Sequence, residues 1–257
     1  MTSGSEEKTL KTVAIVQARM ASTRLPGKVL MDLGGQTVLA RVIRRLSRAT
    51  LINQVAIATT TANADSAIVA EATRLGTDCF RGSEQDVLGR YLAASEAFSA
   101  DVVVRVTSDC PVIDPVMADD VVQDFFNERA DFAFNDVPDR LPRGLDVEVF
   151  SLQALRRAGQ MTCGKYQREH VTPVFYDSPG IFKVVKLRAE QDFSQYRWTL
   201  DTPEDLQLIR AIYGHFSNRD DFGWLEVAEW MERAPELSRI NSHVIQKSTY
   251  EVAPKSS

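Results

Sequence analysis

Cysteine is scarce in this 257-residue sequence: Cys79, Cys110 and Cys163 make an odd number with no C-x-x-C pair. That excludes a disulfide framework and a cysteine-built zinc site, and suits a reducing, cytoplasmic setting. The three histidines are scattered, with no H-x-x-x-H spacing. No apolar run approaches the ~20 residues that a membrane-spanning helix needs. The polar N-terminus MTSGSEEKTLK has no apolar core of the kind a secretion signal carries. Excess positive charge is missing too. A net charge of −5 and a pI near 5.4 argue against a nucleic-acid or membrane-surface binder. There are no internal repeats, and no Pro/Gly-rich linker marks a domain boundary. Residues 12–250 therefore read as a single domain between two disordered tails, 1–11 and 251–257. Within it, 220–250 is a C-terminal helical extension and a candidate homodimer contact.

What is present is an alternation of short apolar runs with amphipathic stretches. Strands are expected at 13–16, 54–60, 79–80, 101–106 and 144–150, with a further short one ending at Asp201. Helices are expected over 38–46, 64–75, 84–98, 115–128, from Lys165, from Pro203 and over 224–231. Strand alternating with helix implies an α/β fold with a central, mostly parallel sheet. Ligands of open α/β sheets bind at the carboxyl edge, so polar residues just past the strands are the site candidates.

The first strand runs straight into Gln17, Arg19, Ser22, Thr23, Arg24 and Lys28, broken by Pro26-Gly27. Hydroxyls, cations and exposed backbone N–H groups in one loop suit a polyphosphate; the alternative is a solvated basic loop. It is neither a Walker A loop, since Val29 follows Gly27-Lys28, nor a G-x-G-x-x-G fingerprint. After the third strand, Arg81 and Ser83 are nucleotide contacts or, for Ser83, a helix cap. Asp109, one step past the central strand, is a metal ligand or a turn residue, whereas Asp114 before Pro115 reads as a cap. Over 144–150, Leu145, Val147 and Val149 face one way and Asp146 and Glu148 the other. Behind Arg143, these two carboxylates line a polyol or metal pocket, or form a solvated edge. Arg168 and His170 lie in a polar helical turn that is either exposed or in contact with substrate. Asp201 is a second metal candidate, because Thr202 can cap the following helix in its place.

Ala18-Arg19, Ser22-Thr23-Arg24-Leu25-Pro26 and Lys28 match the A-R-x-x-S-[ST]-R-L-P-x-K string of the sugar-acid cytidylyltransferases, the enzymes that make CMP-activated acidic sugars. An aspartate two residues before a proline (Asp109, Pro111) and D-T-P-E-D from Asp201 follow in the same order as in that family. R-G-S-E-x-D-V-L, P-R-G-L-D-V-E-V-F, R-E-H-V-T and R-W-T-L-D-T-P-E-D-L resemble more closely its spore-coat polysaccharide biosynthesis protein F branch, over residues 12–216. Ser108 and Cys110 depart from the sugar-acid enzymes, which carry Gly and an acidic residue there.

The resemblance implies a Rossmann-like three-layer nucleotidyltransferase fold, shared with nucleotide-diphospho-sugar transferases. It implies Mg²⁺-dependent cytidylyl transfer from CTP, or another nucleoside triphosphate, to a 2-keto acidic sugar, with release of pyrophosphate. Arg19, Ser22, Arg24 and Lys28 would hold the triphosphate, within a wider nucleotide set of Gln17, Ala18, Thr23, Thr59, Arg81 and Ser83. Arg24, Lys28, Asp109 and Asp201 would be catalytic, the two aspartates holding the metal. Arg143, Asp146, Glu148, Arg168 and His170 are the substrate-side candidates. Two alternatives stay open: a glycosyltransferase of the same fold, against which the missing D-x-D after the central strand counts, and a non-catalytic nucleotide-binding partner.

Overall fold

In the computed structural model, which describes residues 10–161 and 164–246, the alternation of the first half is realised element by element. The order is β1 (Thr12–Gln17), α1 (Val38–Leu46), β2 (Gln54–Thr60), α2 (Ser66–Leu75), β3 (Asp78–Gly82), α3 (Val87–Ala97), β4 (Val102–Thr107) and α4 (Pro115–Asn127). β1 is central because its residues are apolar on both faces: Val13 through Val16 are all 0% exposed. Ala14 and Val16 pack with Leu39, Val42, Ile68 and Val121 of α1, α2 and α4. Val13 and Ile15 point the other way, onto Leu88 and Tyr91 of α3. One strand thus holds two helical layers apart through the period-2 alternation of its side chains.

The second half adds β5 (Phe132–Asn135), β6 (Glu148–Ser151), α5 (Leu152–Met161), α6 (Lys165–His170), α7 (Pro173–Asp177), β7 (Val184–Leu187), α8 (Pro203–His215) and α9 (Trp224–Arg233). The seven strands form one sheet in the order β3-β2-β1-β4-β6-β5-β7. β6 alone is reversed, antiparallel to β4 and to β5, while the other pairings are parallel. This is the three-layer, mostly parallel architecture expected. α8 and α9 close a third core around the fully buried Trp198.

Four expectations change in detail. The strand at 144–150 shrinks to β6, because Asn135 takes up its leading backbone groups: Nδ2 donates to Leu145 O at 2.7 Å, and Oδ1 accepts from Val147 N at 3.1 Å. The alternation survives all the same, with Leu145, Val147 and Val149 buried. The run into Asp201 is no ladder strand, but an extended segment bridged at Arg143–Arg197 and tied by Leu200 N to Asp109 O at 2.8 Å. α3 is capped by Asp86, which accepts from Gly89 N at 2.9 Å; Ser83 instead accepts from Asp86 N. A short 3₁₀ turn, Asn63–Asp65, precedes α2.

Thr202 and Asp205 form the expected capping box of α8, and Asp114 caps α4. Cys79 and Cys110 are free thiols; Cys163 lies outside the described residues. So do residues 1–9 and 247–257, where most of the two expected tails fall. Lys11 lies inside, its backbone N–H donating to Asp101 at 2.9 Å. Among the described residues, no helix is long and apolar enough to cross a membrane.

Candidate active site

The loop after β1 is curled by its own backbone. Ser22 N and Gly27 N both donate to Met20 O at 3.0 Å, and Gly27 turns the chain at φ +72°. Buried Asp65 anchors the loop from below, accepting Met20 N at 2.8 Å and the hydroxyls of Thr59 and Thr60. The curl directs Lys28 inward, where it is 8% exposed. Its Nζ donates to Asp109 Oδ2 and to Asp201 Oδ1, each at 2.8 Å, and to Leu200 O at 2.6 Å. An ammonium has three donors; all are used.

Asp109 comes from the end of β4 and Asp201 from the segment entering α8. Thr107 donates to Asp109 Oδ1 at 2.5 Å. Asp201 Oδ2 receives Arg24 Nη2 at 2.7 Å and Arg197 Nη2 at 2.8 Å. Arg197 is itself fixed by Asp205, at 3.0 Å from Nε to Oδ1, and Asp205 Oδ2 also accepts the backbone N–H of Asp201 at 2.9 Å. Burial works against the Lys28 charge, but Asp109 and Asp201 outweigh it and hold the ammonium pKa above its usual value. Burial likewise works against the Asp201 charge; Lys28, followed by Arg24 and Arg197, outweighs it and holds the carboxyl below the usual range.

Two clefts meet at this centre. The first, about 410 Å³, is lined by Gln17, Arg19, Ser22, Thr23, Arg24 and Lys28 together with Asp109, Asp201 and Glu169. The second, about 230 Å³, is lined by Arg105, Asn135, Arg143, Asp146, Glu148, Tyr176 and Gln246. Arg24, Thr107, Asp109 and Asp201 line both. A group transferred from one cleft to the other would cross at the two aspartates.

Most of the predicted residues converge here, and six line neither cleft. Thr59 is fully buried, its hydroxyl on Asp65. Arg81 donates to Thr60 O and Ala62 O, at 2.9 and 2.8 Å. Ser83 is on Asp86 N, and Arg168 pairs with Asp86 across α3 and α6. The His170 ring packs on Tyr166, and burial lowers its pKa. Ala18 is buried, and its backbone N–H is bonded to Ala58 O. Glu148 lines the second cleft with its oxygens taken by Arg105 and by Thr172, the latter at 2.8 Å. Burial, and then Asp109, push the Cys110 thiol well above its ordinary pKa, so it is no nucleophile. The sequence left Asp65, Arg197, Asp205 and Gln246 unmarked as site residues.

Asp109 and Asp201 are hard oxygen donors of the kind Mg²⁺ takes, and the space between them already receives a cation, the Lys28 ammonium. No cluster of three or more His, Cys, Asp or Glu fit to hold a metal occurs among the described residues. The pair therefore fits an ion that brings most of its ligands as phosphate oxygens and water.

A cationic loop after the first strand of a parallel sheet, with two carboxylates across from it, is the construction of a nucleotidyl-transferring α/β enzyme. The chain belongs to the cytidylyltransferase family, whose model matches residues 13–228, and it is a nucleotidyltransferase. It is 33% identical over 231 residues to the spore coat polysaccharide biosynthesis protein SpsF of Bacillus subtilis, covering 87% of this chain and 95% of that one. A solved cytidylyltransferase from Leptospira borgpetersenii superposes with a TM-score of 0.86 at 32% identity, over 93% of this chain and 100% of that one. A CMP:2-keto-3-deoxy-manno-octonic acid synthetase complexed with CTP shares the fold, with a TM-score of 0.61 at 18% identity, over 80% of this chain and 99% of that one.

Proposed function

We propose that the protein transfers a cytidylyl group from CTP to a 2-keto acidic sugar, yielding a CMP-sugar and pyrophosphate for surface polysaccharide synthesis. The observation that carries this reading is the shared wall of the two clefts, Arg24, Thr107, Asp109 and Asp201. The name of the B. subtilis relative and the CTP bound by the synthetase of the same fold support it.

The triphosphate would lie in the larger cleft against Arg19, Ser22, Thr23 and Arg24. Its charge would draw Lys28 and Arg24 from the aspartates towards the phosphates. Asp109 and Asp201 would then hold Mg²⁺, which supplies charge neutralisation at the α-phosphate and the departing pyrophosphate. A sugar hydroxyl in the smaller cleft attacks the α-phosphorus as the bond to pyrophosphate breaks. Positioning and electrostatics supply most of the acceleration. Arg143 faces the sugar's carboxylate, and Asp146 accepts from its hydroxyls.

The test is pyrophosphate release with Mg²⁺, CTP, ATP, GTP or UTP, and a panel of 2-keto acidic sugars that includes 3-deoxy-manno-octulosonate. Release is expected with CTP and an acidic sugar only. Turnover of a diphospho-sugar without pyrophosphate would replace this activity with glycosyl transfer. Arg143→Ala should raise KM for the sugar and leave that for CTP unchanged.

A further inference from the structure

Beyond α9 the chain returns to the site. Asn241, 3% exposed, donates from Nδ2 to Arg197 O at 2.9 Å and to Asp205 Oδ1 at 2.8 Å. Further on, Gln246 Oε1 accepts from Arg197 Nη1 at 2.6 Å, and its side chain lines the smaller cleft. Both residues lie past residue 228, where the family match ends.

The chemistry of the pair fixes its orientation. A guanidinium only donates, so the amide oxygen of Gln246 must face Arg197 and its NH₂ group must face away. That nitrogen bonds to no described residue. Arg197 does not yield, because Asp201 and Asp205 hold its other nitrogens. The other donors of the cleft are largely committed: Arg24 to Asp201, Arg105 to Glu148, with Arg143 at 4.0 Å from Asp146. An anionic acceptor entering among Asp109, Asp146, Glu148 and Asp201 needs donors without a carboxylate already on them. The Gln246 amide is such a donor.

We infer that Gln246 is an acceptor-binding residue, whose NH₂ group donates to the carboxylate of the acidic acceptor beside Arg143. Arg197 acts as the positioning residue that turns it. The inference rests on the smaller cleft being the acceptor site of the proposed reaction. It is tested by steady-state kinetics of Gln246→Glu and Gln246→Ala with CTP, Mg²⁺ and 3-deoxy-manno-octulosonate as probe, beside wild type and the wider acidic-sugar panel. Glutamate keeps an oxygen on Arg197 and strengthens that pair, but has no N–H and adds a charge facing the acceptor.

The acceptor KM should therefore rise roughly tenfold or more in both variants, most in Gln246→Glu, with the CTP KM unchanged. A wild-type acceptor KM in Gln246→Glu would reduce Gln246 to a tether for Arg197 and overturn the inference alone. A wild-type enzyme that is stabilised by CTP yet releases no pyrophosphate with any acidic sugar would overturn the acidic-sugar reading, and this inference with it.

Discussion

Lys28 holds together two carboxylates that would otherwise repel. Removing its charge with Lys28→Met leaves Asp109 without a cation and Asp201 with Arg24 and Arg197 alone, so the cost should stay at or below about 3–5 kcal/mol, that of a buried pair broken from one side. The same group faces the phosphates in the proposed reaction, so kcat should fall by roughly 10²–10³. A urea melt and a pyrophosphate assay on that variant check the two effects separately. The pH dependence follows from the directions of the shifts. Asp201 is held below its ordinary value, so its contribution to stability is complete above the unfolded carboxylate pKa of about 3.9 and is lost as pH falls through the folded value. Lys28 is held above its ordinary value, so its contribution is complete below about pH 10.4 and is lost as pH rises through the folded value. Asp201→Asn should flatten the acid limb, which denaturant midpoints between about pH 2 and pH 5 will show. Asp109 and Asp201 were legible in the sequence because each stands where a strand-like run stops, and Lys28 because it belongs to the run of cations and hydroxyls after the first strand. Arg197 and Gln246 were not. They are 49 positions apart, and an arginine or glutamine at that separation carries no local signal until the chain is folded.

Legibility among the elements followed length and alternation. β1, β2 and β4 are runs of six or seven residues with strong β formers and were readable as strands. β5 and β7, at four residues each, are too short for a periodicity to declare itself. The leading half of 144–150 has a strand's alternation without its ladder, because β5 ends at Asn135 and that residue's side chain takes up Leu145 O and Val147 N beyond it. That loop also depends on Gly144, whose φ is +109° and where a β-carbon would lie 2.5 Å from the Trp198 carbonyl carbon. Both the conformation and the close approach exclude a side chain. Gly144→Ala should cost about 2 kcal/mol or more, read as a fall of roughly 4–8 °C in Tm. It should also displace Arg143 and Asp146 and weaken sugar binding, since the loop carries both.

At the scale of the whole molecule, the sheet brings together groups that no single element could supply. The cationic loop follows β1, Asp109 follows β4, and Asp201 arrives from a segment pinned to Asp109 by a backbone bond and to the loop by Lys28 Nζ on Leu200 O. A nucleotide seated across these elements binds the folded state only. Saturating CTP with Mg²⁺, near 100 times Kd, should add about 2.7 kcal/mol, or roughly 5–10 °C in a thermal-shift scan. Lys28→Met should show a smaller shift than wild type.

The reversal of β6 has a consequence for how such a molecule diversifies. Because β6 runs against its neighbours, its leading end reaches the sheet edge where the other strands end, with Glu148 opposite Arg105 of β4. In the proposed reaction the acceptor side is thus built by a loop that enters a strand, and the phosphate side by a loop that leaves one. On that reading, insertions or charge changes in residues 136–147 would recast what is modified, while the strands that carry the proposed triphosphate loop keep their register. Outside the wall the two clefts share, the two proposed substrates would be served by parts of the chain that can be altered one at a time.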